Sequence, residues 1–65
     1  MYQVISWDPA DTTRPEVQRT MGIPALCQIL YEAGKAQHEV VVDEYSVSEQ
    51  YGESFTPIFM STVGP

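Results

Sequence analysis

The segment that decides the fold is residues 39–47, Glu39-Val40-Val41-Val42-Asp43-Glu44-Tyr45-Ser46-Val47. β-Branched and aromatic residues dominate it, as is typical of a β-strand. In such a strand Val41, Tyr45 and Val47 lie on one face, and Val40 and Val42 lie on the other. We therefore expect the first half of this strand to be covered on both sides.

The segment before this strand has the periodicity of a helix. Its apolar residues recur at spacings of three and four, at Ile23, Leu26, Cys27, Leu30 and Ala33. Pro24 suits the first turn, where the missing amide hydrogen costs nothing, and Gly34 suits a left-handed C-terminal cap. The pattern predicts one main helix, with Cys27 on its buried face as a small, inert hydrophobic residue.

Two further strands and a short helical turn are predicted outside this central unit. Residues Tyr2–Trp7 alternate as a strand does, and the spacing of Thr13 and Glu16 matches a capping box that predicts a helical turn from residue 14 to about residue 21. Residues Phe55–Val63 form the last predicted strand, which Pro57 confines to an edge or to a bulge.

These elements predict a single α+β domain over residues 1–65, with the order β-α-β-β. The expected fold is a small three-stranded sheet with one main helix packed on one face and a C-terminal hairpin. If the strands before and after the helix are neighbours, they must be parallel and joined by a right-handed crossover. The aromatic residues expected in the core are Trp7, Tyr45, Phe55 and Phe59.

The charge of the chain is strongly acidic and unevenly distributed. Nine acidic residues and three basic ones give a net charge of −6, and all three bases lie before residue 36. An anionic surface repels phosphate groups and acidic lipid headgroups, so neither nucleic acid nor a membrane is expected as a direct partner. A helix-turn-helix interpretation of residues 17–30 fails for the same reason, because no base follows in the second helix.

The sequence contains no recognisable catalytic, cofactor or metal site. The four glycines are isolated, so no phosphate-binding loop is present. Glu39 and Asp43 would lie about 13 Å apart along a strand, too far to share one metal ion. Cys27 and His38 are a weaker, third alternative for a small enzyme, without a supporting motif. One cysteine excludes an internal disulfide and favours a reducing, cytoplasmic compartment.

The leading hypothesis is therefore a non-enzymatic protein-binding module that docks an acidic face on a basic surface of a larger protein. The partner-binding residues predicted for it are Glu39, Asp43, Glu44, Glu49, Tyr51 and Glu53. Such a module can act as an inhibitor of a nucleic-acid-processing protein, with carboxylates imitating phosphates. Small virus-encoded inhibitors provide an analogy that rests on charge and size alone.

A second hypothesis is a structural protein that assembles with copies of itself. A three-stranded sheet has two open edges, and an exposed edge is a template for strand pairing. The expected edges are Tyr2–Trp7 and Phe55–Val63. Pairing of either edge with a second copy would produce a homodimer.

Overall fold

The structure, a computed structural model, describes residues 1–61 as four strands and one helix. The elements in chain order are β1 (Tyr2–Asp8), β2 (Asp11–Thr20), α1 (Ile23–Lys35), β3 (Glu39–Ser48) and β4 (Gly52–Met60). The strands form one sheet in the order β2-β1-β3-β4, and every neighbouring pair is antiparallel. The class is α+β, but the prediction of a three-stranded β-α-β-β sheet is wrong.

The error lies in residues 11–20, which form strand β2 instead of a helical turn. Thr13 does not cap a helix; its backbone amide and its hydroxyl both donate to the Asp11 carboxylate. Pro15 lies where the β1–β2 register shifts, and Val17 pairs with Ile5 beyond it. Pairing with β1 has overridden a local capping signal, because strand formation depends on the neighbour more than on local sequence.

This additional strand also changes the direction of the central pair. β2 returns the chain to the end where β1 began, with Thr20 opposite Tyr2. The helix then runs back, and β3 starts with Glu39 opposite Trp7. β1 and β3 are therefore antiparallel neighbours, and the expected parallel crossover does not occur. It follows that β1 is an interior strand, so the predicted open edge at Tyr2–Trp7 is also wrong.

The C-terminal hairpin predicted from the sequence is present. β3 and β4 pair antiparallel around a turn that ends at Gly52, whose φ of 74° is readily adopted only by glycine. Pro57 lies in an edge strand beside a register shift, as its ring requires. The last part of the predicted strand, residues 62–63, lies outside the described residues.

Helix α1 packs mainly on the two central strands, β1 and β3. Its buried residues Leu26 and Ala33 pack on Val4, Val40 and Val42. Cys27, which was predicted to be buried, is exposed because it lies one residue off this stripe. The left-handed residue after the helix is Gln37 (φ 59°) and not Gly34.

The helix covers little of the outer strands β2 and β4, so the aromatic residues predicted for the core are not all buried. Phe55 and Phe59 on β4 are 43% and 51% exposed, so they are not core residues. Trp7 and Tyr45, on the central strands, are half-buried. The core therefore consists of aliphatic residues from two strands and one helix.

Candidate functional site: the hairpin arm and the uncovered sheet face

The hairpin of β3 and β4 extends beyond the other two strands. β1 pairs with β3 only as far as Glu44, and the amide of Tyr45 then donates to the carbonyl of Met1. Residues 46–54 continue as a two-stranded ribbon without a third strand, and we call them the hairpin arm. Every residue of the hairpin arm is exposed. An isolated ribbon is only marginally stable in water, so the arm depends on its own local contacts.

Serine hydroxyls supply those local contacts. Ser46 Oγ and Ser54 Oγ lie 2.8 Å apart across the two strands. Ser48 Oγ accepts hydrogen bonds from the amides of Gln50 and Tyr51, at 3.1 and 3.0 Å. The turn is thereby closed by polar groups, and its apolar side chains are not needed to hold it. Tyr51 is 80% exposed and Val47 is 66% exposed.

The base of the hairpin arm is anchored by an aromatic and charged cluster. The guanidinium carbon of Arg19 lies 4.7 Å from the ring centroid of Tyr45, within the range of a cation–π contact. The Tyr45 hydroxyl donates to Glu53 Oε1 at 3.0 Å, and its ring lies 5.1 Å from that of Phe55. The hydrogen bond to Glu53 raises the pKa of Tyr45, with smaller contributions from burial and from the negative charge, and Arg19 opposes the rise.

Arg19 was not among the predicted site residues, because its segment was expected to form a helical turn. A strand interpretation of residues 11–20 would have placed Arg19 opposite Gln3, and Gln3 Oε1 accepts a hydrogen bond from Arg19 Nε at 3.0 Å. Val17 is the single aliphatic residue of that segment, so no apolar alternation is present, and the strand signal available in the sequence was the β-branched content of Thr12, Thr13, Val17 and Thr20.

The structure brings together only part of the predicted acidic face. Glu49, Tyr51 and Glu53 lie in the hairpin arm, and Glu44 is exposed at its base. Glu39 is half-buried at the other end of β3, about 30 Å from Ser48 at about 3.3 Å per residue, and accepts a hydrogen bond from the indole of Trp7. Asp43 is also half-buried, opposite Gln3 in the sheet. The continuous acidic face is thus reduced to the hairpin arm and Glu44.

No protein family, curated protein or solved structure matches this chain. Within residues 1–61, no helix is long and apolar enough to cross a membrane.

A second surface is the face of the sheet opposite the helix, which we call the uncovered face. Four aliphatic side chains lie in register across all four strands of this face, and we call them the aliphatic row: Val17, Ile5, Val41 and Met60. A polar row that contains Arg19, Gln3 and Asp43 runs on one side of it. Trp7 and Glu39 lie on the other side.

The groups considered for catalysis are dispersed. His38 lines a shallow cleft together with Asp8, Gln37 and Ser61, whereas Cys27 lies on the exposed surface of α1 and does not line this cleft. Among the described residues, no three histidine, cysteine or acidic side chains are grouped as metal ligands would be. Asp8, His38 and Ser61 all line this cleft, but the Asp8 carboxylate accepts from the amide of Ala10 and the Ser61 hydroxyl accepts from the amide of Val40. Within residues 1–61 no hydrogen bond joins the His38 side chain to either of them, so they are not linked as a nucleophile, base and orienting group would be.

Proposed function

We propose that this protein is a non-enzymatic binding module that docks its hairpin arm on a basic surface of a larger protein. The observation that carries the proposal is the arm itself: an exposed ribbon that stands beyond the other strands and whose charged residues, Glu49 and Glu53, are both acidic. Such a projection reaches into a groove that a flat surface would not enter.

Charge and apolar contact have separate roles in this docking. The carboxylates of Glu44, Glu49 and Glu53 attract a positive surface and orient the encounter. Tyr51 and Val47 supply the contact area, because exposed tyrosine is among the most frequent anchors of protein interfaces. Serine hydroxyls already satisfy the amides of the turn, so those amides do not lose a hydrogen bond on docking.

Within this proposal the partner is a nucleic-acid-processing protein and the module is its inhibitor. Carboxylates spaced along the hairpin arm would then occupy a groove that normally holds phosphates. The small size and net charge of −6 support this analogy with virus-encoded inhibitors. The cytoplasm is the proposed compartment, because the single cysteine forms no internal disulfide.

The test compares two triple variants with the same change in charge. In the arm variant, Glu44→Gln, Glu49→Gln and Glu53→Gln remove three charges, and glutamine can still accept the hydrogen bond of Tyr45. In the control, Asp8→Asn, Glu16→Gln and Glu32→Gln remove three charges from other exposed positions. Proteins captured from the lysate of the native host are eluted from each immobilised protein with increasing salt.

The proposal predicts that the arm variant loses the proteins that elute from the native protein with salt, and that the control retains them. Salt elution is expected because exposed charge pairs are screened at high ionic strength. An equal effect of the two triple variants would remove the hairpin arm as the docking site. Capture that is insensitive to salt would remove the electrostatic mechanism.

A further inference from the structure

We propose that the uncovered face is covered by the same face of a second copy of this chain, so that two protomers form a two-fold symmetric β-sandwich. This inference concerns a surface that the proposed docking function does not use. It rests on the composition of the aliphatic row, on the burial within one protomer and on the register of the four strands.

The aliphatic row is unusual for a solvent-exposed sheet face. An antiparallel sheet with one face in water alternates apolar residues inside with polar residues outside. Here both faces are apolar at the centre, since Val41 lies between the buried residues Val40 and Val42. Val17 and Met60 at the two ends of the row are 57% and 63% exposed. The apolar stripe therefore spans the whole width of the sheet.

One protomer buries little apolar surface by itself. Of the described residues, five hydrophobic ones are buried, and only Val4 and Val42 are enclosed almost completely. The accessible surface is 4816 Å², whereas a folded chain of 7.3 kDa exposes about 4,200 Å² on average. The excess, on the order of 600 Å², is shared between the projecting hairpin arm, all of whose residues are exposed, and the uncovered face, where Val17 and Met60 are exposed.

The register of the strands makes the uncovered face complementary to itself. Consider a two-fold axis that lies parallel to the strands and between β1 and β3. It brings β2 opposite β4 and β1 opposite β3 of the second copy. Val17 then faces Met60 of the second copy, and Ile5 faces Val41 of the second copy.

The same axis places neither acidic residue of β3 on this face, Glu39 or Asp43, opposite another carboxylate. Gln3, an amide, faces the Asp43 carboxylate of the second copy, and Arg19 faces Pro57 of the second copy. The ring of Trp7, whose N–H is already donated to Glu39 of its own protomer, faces Glu39 of the second copy. An axis along the aliphatic row would instead place Asp43 opposite Glu39, two groups of like charge. The axis parallel to the strands is therefore favoured, and it corresponds to the aligned packing of two sheets about 10 Å apart.

The hairpin arm remains free in this arrangement. β3 of one protomer lies over β1 of the other. The N-terminal end of β1 lies at the level where the Met1 carbonyl accepts a hydrogen bond from the Tyr45 amide. Residues 46–54 project past that end. A sandwich of two protomers would thus present two hairpin arms.

Sedimentation of single and mixed variants tests the sandwich and its register. Val17→Lys and Met60→Glu each place a charge against an apolar side chain of the second copy, at positions that are largely exposed within the protomer. Each is expected to raise the dimer Kd by about thirtyfold or more. An equimolar mixture should restore the dimer, because Lys at position 17 then faces Glu at position 60. Met21→Lys, at a residue 73% exposed outside the sheet, is the control and should remain dimeric.

A native protein that sediments as a monomer at every concentration up to about 1 mM would overturn the proposal. Dimerisation that survives both single variants would do so as well. If either variant fails to fold alone, recovery of its far-UV circular dichroism on mixing supports the interface, and no recovery overturns it. Salt separates this inference from the docking function: added salt strengthens contact between two chains of charge −6 and weakens contact with a basic partner.

Discussion

The indole Nε1 of Trp7 donates a hydrogen bond of 2.7 Å to Glu39 Oε2, and the two residues are directly opposite in the pairing of β1 with β3. Both are half-buried on the uncovered face. The bond therefore helps to fix the register of β1 and β3 at the end where β3 begins, just after the helix.

Replacing Trp7 by phenylalanine should destabilise the fold by about 1–2 kcal/mol, since a partly buried hydrogen bond to a charged acceptor is lost. Urea unfolding at one fixed protein concentration measures the change. Glu39→Gln is the matched control, because the amide oxygen still accepts from the indole, and it should cost less. Equal losses for the two variants would show that the indole hydrogen bond is not the source of stability.

Two glycines are expected to respond in opposite directions to alanine. Gly52 has a φ of 74°, which L-residues adopt at a cost of about 1–2 kcal/mol, so Gly52→Ala should lower the free energy of unfolding by about that amount. Gly34 lies within α1 and an added Cβ meets no atom within 4 Å. Gly34→Ala should therefore stabilise the protein by about 0.5–1 kcal/mol. Thermal unfolding of both variants is the measurement, and a stabilised Gly52→Ala protein would contradict the turn geometry.

The phenol of Tyr45 should titrate at a higher pH than an ordinary tyrosine, because the hydrogen bond to the Glu53 carboxylate raises its pKa. The folded state holds this proton more tightly than the unfolded chain does. The contribution of this hydrogen bond to the free energy of unfolding is therefore fully present below the unfolded pKa of about 10, and it is lost as the pH rises through the folded pKa.

Absorbance at an ultraviolet wavelength specific for tyrosinate follows this titration, and Tyr45→Phe identifies the component that belongs to Tyr45. Glu53→Gln should move that component to lower pH, because the negative charge at the acceptor is removed. A component that does not move would mean that Glu53 is not its cause.

Cys27 should react with a thiol reagent in the native protein, since its side chain is exposed on α1. A disulfide-exchange reagent that releases a coloured thiol counts the reactive groups, and one per chain is expected without denaturant. The same reagent in urea provides the reference for full exposure. Reaction only after addition of urea would show that the thiol is buried, as the helical pattern of the sequence predicts.

Sequence reasoning located the helix, the strand that begins at Glu39 and the C-terminal hairpin, because each has a strong local pattern. It misassigned residues 11–20, where Thr13 and Glu16 have the spacing of a capping box. In the folded chain Asp11 binds the Thr13 hydroxyl and Val17 pairs with Ile5. A local capping motif and pairing with the preceding strand β1 competed for the same residues, and the pairing decides that competition.

The candidate site was predicted in part for a similar reason. Glu49, Tyr51 and Glu53 share one ribbon because they are close in the sequence, and the hairpin was predictable. Glu39 and Asp43 were assigned to the docking surface on charge alone. Their burial against Trp7 and Gln3 depends on which strand lies beside β3, and that neighbour could not be read from their own segment.

By itself the sequence determined the class of fold, the excess of negative charge in its second half and the alternation that makes β3 apolar on both faces near its start. Only the tertiary structure decided the number of strands, the antiparallel relation of β1 and β3 and the exposure of Cys27, Phe55 and Phe59. The reason is that a strand's side-chain pattern is local, whereas its partner, and so the cover over each face, is set by pairing between distant segments.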